Sequence, residues 1–258
     1  MTTSTTTPSE QQAPHSAGSD TRRTVWITGA GSGMGRATAL RAARNGWAVA
    51  LSGRREAQLE QLAAEIRAAG GTALVAPLDV QDRDAVRETA RRLVAELGGI
   101  DALVLAAGLN APQRSWEDQD LSEFDAIVST NLTAVASTID ASLPHLRERG
   151  GQVVVISSYA GWSFQPGAGV AYSASKTALG SLVRTLNQQE AARGVRACHL
   201  CPGDVATDFL DQRPSVPDAA ARARMLSAED VARTACFVLD SPAHVRIDEL
   251  VISPVSQA

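Results

Sequence analysis

Thr28-Gly29-Ala30-Gly31-Ser32-Gly33-Met34-Gly35 is the stretch from which the rest of the chain can be read. It follows the apolar run Thr24–Thr28 and opens a segment of helical periodicity that extends to about Asn45. Glycine lets a backbone turn sharply and approach a pyrophosphate closely. The helix that follows supplies free N–H groups and the positive end of its dipole. A tight turn alone also favours glycine. Here the turn sits between a strand and a helix, the context that the binding device requires. Thr28, Gly29, Gly31, Ser32, Gly33, Met34 and Gly35 are therefore expected to hold a dinucleotide.

Downstream, short apolar runs recur at Ala48–Ser52, Thr72–Ala76, Ala102–Ala106, Gln152–Ile156, Val195–Leu200 and Glu249–Ile252. Helical patterns separate them. Glu56–Ala69 places Leu59, Leu62, Ala63 and Ile66 on one face and stops at Gly70-Gly71. Asp82–Leu97, Glu123–Leu146, Tyr172–Ala192 and Ala228–Val238 follow. This alternation predicts one doubly wound α/β domain of Rossmann type over 22–258, a parallel sheet of about seven strands with helices on both faces.

Residues 1–21 are rich in Thr, Ser, Pro and Gln and read as a disordered tail without the pattern of a signal peptide. Arg22-Arg23 resembles part of a twin-arginine signal, but the apolar stretch behind it stops at Gly29, which suits a strand. The chain of 258 residues is 44% hydrophobic and 20% charged, enough for a sizeable core. With 24 basic and 28 acidic residues and no basic stripe, nucleic acid is not expected as a partner. No apolar run reaches the length of a membrane span. Three cysteines are too few for a disulfide framework, so a reducing cytoplasm is expected.

The second strand ends in Ser52-Gly53-Arg54-Arg55, where an NAD binder usually carries a carboxylate for the ribose. Two guanidiniums there can pair with a 2′-phosphate, which favours NADP(H) over NAD(H); alternatively they are solvated cations at a helix start. Asp79, past the third strand, can accept from the adenine amino group or cap the helix that follows.

Of the 24 basic residues only one, Lys176, is lysine. Tyr172-Ser173-Ala174-Ser175-Lys176 opens a helical stretch, and a spacing of four puts Tyr172 and Lys176 on one face. A free phenol titrates near pH ~10, too high for proton exchange at neutral pH. A neighbouring ammonium is expected to lower that value. Upstream, the strand Val153–Ile156 ends in Ser157-Ser158, at the sheet edge where such folds place ligands.

These features together resemble the short-chain dehydrogenase/reductase family, over nearly all of 22–258. The matching elements are the glycine run at 28–35, Asp79-Val80, Asn131, Ser158, Tyr172 with Lys176, and Pro202-Gly203 followed by Thr207. The resemblance implies that Tyr172 is the general acid/base and that Lys176 lowers its pKa and bonds the nicotinamide ribose. It implies that Ser158 orients the substrate oxygen and that Asn131 supports a proton relay through water. It also implies that Pro202-Gly203-Asp204-Val205 and Thr207 flank the nicotinamide; Gly53, Arg54, Arg55, Ala107 and Gly108 complete the expected cofactor contacts. Such proteins are usually homodimers or homotetramers. Two departures stand out. Leu105-Ala106-Ala107-Gly108 replaces the family's usual Asn-Asn-Ala-Gly, and the loop from Ser158 to Tyr172 is one residue longer, which makes Ser157 the fallback serine.

Cys198-His199-Leu200-Cys201 has redox spacing, but on a strand its two thiols point to opposite faces. His15, His145, His199 and His244 show no metal spacing, so no metal is expected. Tyr159, Trp162 and Phe164 are expected to border the substrate; the resemblance implies a lid over Asp208–Leu226, whose Ala and Arg run from 219 to 224 is alternatively a short surface helix. The reading is NAD(P)-dependent interconversion of a carbonyl and an alcohol, favouring NADPH-dependent reduction of an apolar or ring-bearing small molecule. The alternatives are an NAD-dependent alcohol dehydrogenase working oxidatively, and a nucleotide-sensing protein without catalysis.

Overall fold

The computed structural model describes residues 22–257. The tail expected over 1–21, with His15, lies outside the described residues. Seven strands form one sheet: β1 (Thr24–Thr28), β2 (Ala48–Gly53), β3 (Thr72–Pro77), β4 (Ala102–Leu105), β5 (Gln152–Ile156), β6 (Arg196–Pro202) and β7 (Glu249–Ile252). Their order is β3-β2-β1-β4-β5-β6-β7, and every pairing is parallel. The chain moves outward from β1 to β3, then returns to the other side of β1 at β4. That reversal opens a crevice at the carboxyl ends of β1 and β4, where an open α/β sheet binds its ligand.

Helices α1 (Gly33–Arg44), α2 (Glu56–Ala68) and α3 (Arg83–Leu97) follow the first three strands. Helices α4 (Leu121–Val128) and α5 (Ala134–Arg149) are joined without interruption by a π turn at Ser129–Thr133. After β5 come a single turn, α6 (Tyr159–Trp162), and the long α7 (Val170–Glu190). A one-turn α8 (Ala219–Arg222) and α9 (Ala228–Leu239) complete the set. One face of the sheet packs Val25, Ile27, Val49 and Leu51 against Ala39, Leu59, Leu62 and Val231. The other packs Trp26, Leu103 and Val153 against Val86, Leu93, Leu146, Leu179 and Val183. Alternate residues of each strand serve opposite layers because the pleat has a period of two.

Two helices that carry the site are locked together by charge. Glu190, buried at the end of α7, receives both Nε (2.8 Å) and Nη2 (2.7 Å) of Arg147 from α5. Arg193 adds a second cationic partner at 3.1 Å. The Arg147 hydrogen bonds lead in holding the Glu190 carboxyl down to about 2. A depressed carboxylate contributes stability above the ordinary carboxylate range, and that contribution is lost as pH falls through the folded value. Glu190→Gln is therefore expected to melt lower than wild type at pH 7, with the gap closing between about pH 4 and pH 2. Thermal melts across that range check this; a constant gap would contradict it.

Candidate active site

The loop after β1 wraps the start of α1 in backbone that only glycine tolerates. Gly29 has φ +65°, and a Cβ there would lie 2.7 Å from the Ala107 backbone nitrogen after β4. A Cβ on Gly35 would collide with the Gly29 carbonyl oxygen. The cradle is thus held between two strand ends. Thr28 is buried beneath it and accepts the Ala107 N–H at 3.4 Å.

A cleft of about 460 Å³ runs from this loop across the sheet edge. Gly29, Gly31, Ser32, Gly33, Met34, Gly35, Gly53, Arg54, Arg55, Asp79, Val80, Ala107, Gly108, Tyr172, Lys176 and Thr207 all line it. Arg55 donates to the Ser32 hydroxyl at 2.9 Å across the cleft mouth, while Arg54 is exposed and makes no hydrogen bond among the described residues. Gln81 and Thr130 also line the cleft and bond each other at 2.9 Å, a contribution that no sequence motif signalled. Asp79 does not cap α3. The cap is Asp82, whose carboxylate accepts from Asp84 and Ala85, whereas Asp79 accepts the Gln81 N–H at 3.0 Å in a local turn. Three residues of difference decide which carboxylate reaches the free N–H groups of the helix start.

A second cavity, about 490 Å³, adjoins the first. Pro202, Gly203 and Val205 line this one, together with Ser157, Ser158, Asn110, Arg114 and Arg213. Both cavities share Tyr172, Ser157, Met34, Thr207 and Phe209. The phenol therefore stands on their seam, with the Phe209 ring 6.2 Å from its own.

Ser158 caps α6, accepting the Ala160 N–H at 3.2 Å, and its hydroxyl lies near enough to the Tyr172 phenol to pull its pKa down. Ser157 turns the other way and donates to the Lys176 backbone carbonyl at 3.3 Å. Ser158 is thus the serine whose hydroxyl bears on the phenol, while both serines line the second cavity. Lys176 is buried, and its ammonium donates to the Ile156 carbonyl at 3.2 Å. Gly108 borders the ammonium, since a Cβ there would stand in van der Waals contact with it, 3.8 Å from Nζ. Asn131, inside the π turn, makes reciprocal bonds with the Leu109 backbone (2.7 and 2.9 Å) and a third with the Ser175 hydroxyl (3.2 Å). It ties the strand-four loop to α7.

The electrostatics differ from the simple expectation. Burial holds the Tyr172 phenol above its ordinary value, while the Ser158 hydroxyl and the Arg114 and Arg213 guanidiniums pull it down. Lys176 meets the ring and not the hydroxyl. Its Nζ lies over the face of the phenol ring, 5.7 Å from the centroid, because a spacing of four stacks the two side chains along the helix. Burial also pushes the Lys176 ammonium down to about 8.

Elsewhere, Cys198 packs into the core beside Val154 and Leu200, and burial raises both it and Cys201 to about 12, so both are thiols. The fold brings His199, Cys201 and Glu249 within 4.8 Å, a convergence the sequence spacing did not signal. His199 Nδ1 is 3.0 Å from Glu249 Oε2, a direct imidazole–carboxylate contact. Of the aromatic loop, Tyr159 reaches the second cavity, but Trp162 and Phe164 do not line it and are 50% and 83% exposed. Asp208–Leu226 does cover the cavity through Phe209, Leu210, Arg213, Pro214 and Ser215. Its short helix is latched by Arg222, which reaches Asp211 at 2.5 Å and the Pro217 carbonyl at 3.1 Å. Among the described residues, no helix is long and apolar enough to cross a membrane.

The sequence matches the family model described as short chain dehydrogenase over residues 23–217. Sulfoacetaldehyde reductase 2 of Chromohalobacter salexigens is 36% identical over 243 residues, covering 91% of this chain and 95% of that protein. Glycine betaine reductase of Emericella nidulans is 34% identical over 250 residues, which are 95% of this chain but only 20% of that longer protein. Among solved structures, the closed form of serine dehydrogenase complexed with NADP+ matches with a TM-score of 0.83 at 30% identity, covering 91% of this chain and 96% of that one.

Proposed function

The chain belongs to the short chain dehydrogenase family and is an oxidoreductase of CH–OH and C=O groups; from that premise we propose that it reduces a small ketone or aldehyde with NADPH, Tyr172 delivering the proton. The position of the Tyr172 phenol on the seam of the two cavities carries this reading. The glycine cradle fits a dinucleotide: Gly29 and Gly35 let the backbone close tightly at the strand ends, and Gly31, Ser32 and Gly33 then line the cleft at the start of α1. When bound, that group supplies the hydride.

The chain's own residues do the remainder. Ser158 donates to the substrate oxygen and so orients the carbonyl. The Tyr172 O–H then passes its proton to that oxygen as negative charge develops there. Lys176 places a positive charge over the ring face and would hold the nicotinamide ribose. Asn131 holds the Leu109 loop to α7, which positions Lys176 and Tyr172. A homodimer or homotetramer, built through α4–α5 and α7, belongs to the same reading.

Arg54 and Arg55 support NADP(H). Arg54 is exposed at the cleft with no hydrogen-bond partner among the described residues, and Gly53 presents no carboxylate to repel a 2′-phosphate. Serine dehydrogenase, whose structure was solved with NADP+, is a neighbour consistent with this choice. Wild type is expected to show higher kcat/KM with NADPH than with NADH. Gly53→Asp combined with Arg54→Ala should reverse the order, because it adds repulsion and removes a charge-assisted contact of about 1.5–3 kcal/mol. The readout is nicotinamide absorbance over a panel of ketones and aldehydes with each cofactor. A wild-type preference for NADH would reduce both arginines to solvated cations.

A further inference from the structure

Three ionised side chains line the cavity beyond the Tyr172 hydroxyl: Arg114, Asp204 and Arg213. Its wall therefore carries net positive charge. Asp204 is committed to Arg213, with Nη2 2.5 Å from Oδ1. Arg114 has no carboxylate partner among the described residues. It is half-buried, and its Nε and Nη2 donate to the Ala111 and Gln212 carbonyls at 2.8 and 2.9 Å, with Nη1 3.4 Å from the Gly167 carbonyl. These bonds hold the guanidinium rigidly and use three of its five N–H groups, leaving two free. Burial and the nearby Arg213 both work against its charge. A fixed cation whose charge is met only by carbonyl dipoles, facing a second cation, is the arrangement that an oxyanion completes.

We propose that Arg114 and Arg213 form an anion subsite, so that the substrate is a carbonyl compound bearing a carboxylate or sulfonate a few bonds from its reacting carbon. The proposal rests on the oxidoreductase reading above and specifies its substrate. Neither guanidinium lines the glycine-loop cleft, so they are not placed for a cofactor phosphate. A volume of about 490 Å³ suits a small molecule whose anionic end reaches the arginines while its carbonyl meets Tyr172 and Ser158. The two guanidiniums also favour phenolate at Tyr172. A bound anion offsets that influence and so reinforces the protonated form, already favoured by burial, that reduction consumes. The substrate thereby helps keep its own proton donor charged with a proton. This replaces the expectation of an apolar or ring-bearing substrate, since two of the aromatics on which it rested do not line the cavity.

The test compares acetoacetate with its neutral methyl ester as substrates for the full-length protein with NADPH. Butanoate, propanesulfonate and methyl butanoate are titrated calorimetrically into the NADP+ complex alongside. Wild type should favour acetoacetate over the ester by about tenfold or more in kcat/KM and bind both anions but not the neutral ester. Arg213→Gln should lose that preference chiefly through a raised KM for acetoacetate, and Arg213→Lys should recover part of it. Arg114→Gln, if it melts like wild type, should behave as Arg213→Gln does. Equal use of acid and ester, or an anion preference unaltered in both Gln variants, overturns the proposal. Differential anion binding with neither compound reduced would overturn the assigned reaction and uphold the subsite. Absence of both binding and reduction would overturn both.

Discussion

Tyr172→Phe is expected to lower kcat for carbonyl reduction by at least about a hundredfold, the usual scale for loss of an acid/base group. Affinity for the dinucleotide should be nearly unchanged. The substitution removes one oxygen and leaves the ring that packs near Phe209 and beneath the Lys176 ammonium, so the walls of both cavities persist. Burial holds the phenol above its ordinary value, so it is protonated at neutral pH and ready to act as an acid. Steady-state kinetics with a fluorescence titration of NADPH check this. Turnover close to wild type would move the proton to another group.

Lys176→Arg should be nearly as damaging, although it conserves charge. The ammonium sits in a buried site bounded by the Ile156 carbonyl at 3.2 Å and by Gly108, a space shaped for a compact head. A planar guanidinium cannot enter it without displacing the strand end or the phenol. We expect kcat to fall by about a hundredfold or more. The wild-type site also predicts a pH effect. Burial lowers this ammonium from 10.5 to about 8, so the folded state releases its proton earlier than the unfolded chain does. Stability should accordingly rise with pH between about 8 and 10.5, the window in which only the unfolded state remains charged. The destabilisation below that window is about 3 kcal/mol. Lys176→Met should lack this slope in urea titrations while remaining inactive; a slope that survives would assign it to other groups.

Most of the architecture was legible because its signals are local. Each strand is a short apolar run closed by Gly, Pro or a polar pair, and the observed bounds of β1, β5 and β7 coincide with those read from the sequence. The glycine cradle and the Tyr172/Lys176 pair were legible for the same reason, since each lies within one turn of chain. Distant partners were not. Arg114 and Arg213 come from loops far from Tyr172 in sequence, and nothing in their neighbours indicates that they face one phenol. His199, Cys201 and Glu249 meet only because β6 pairs with β7 in one particular register. Asp79 and Asp82 both precede α3, and only hydrogen-bond geometry separates the cap from the turn.

The π turn at Ser129–Thr133 gives the α4–α5 rod two angular phases. Ile127, before it, is buried with Ala111 and Ala171, whereas Val135, Ile139 and Leu146, after it, are buried in the layer against the sheet. One surplus residue per turn is what rotates the first stripe relative to the second, by about 100°. Excising any residue of that turn would mend the hydrogen-bond ladder and straighten the periodicity. It would also swing everything on one side of the cut around the helix axis, taking Asn131 away from Leu109 and Ser175 or detaching Ile127 from its packing. The rod's irregularity is thus the clutch that lets one continuous helix serve two surfaces, and length in this segment is constrained more tightly than residue type.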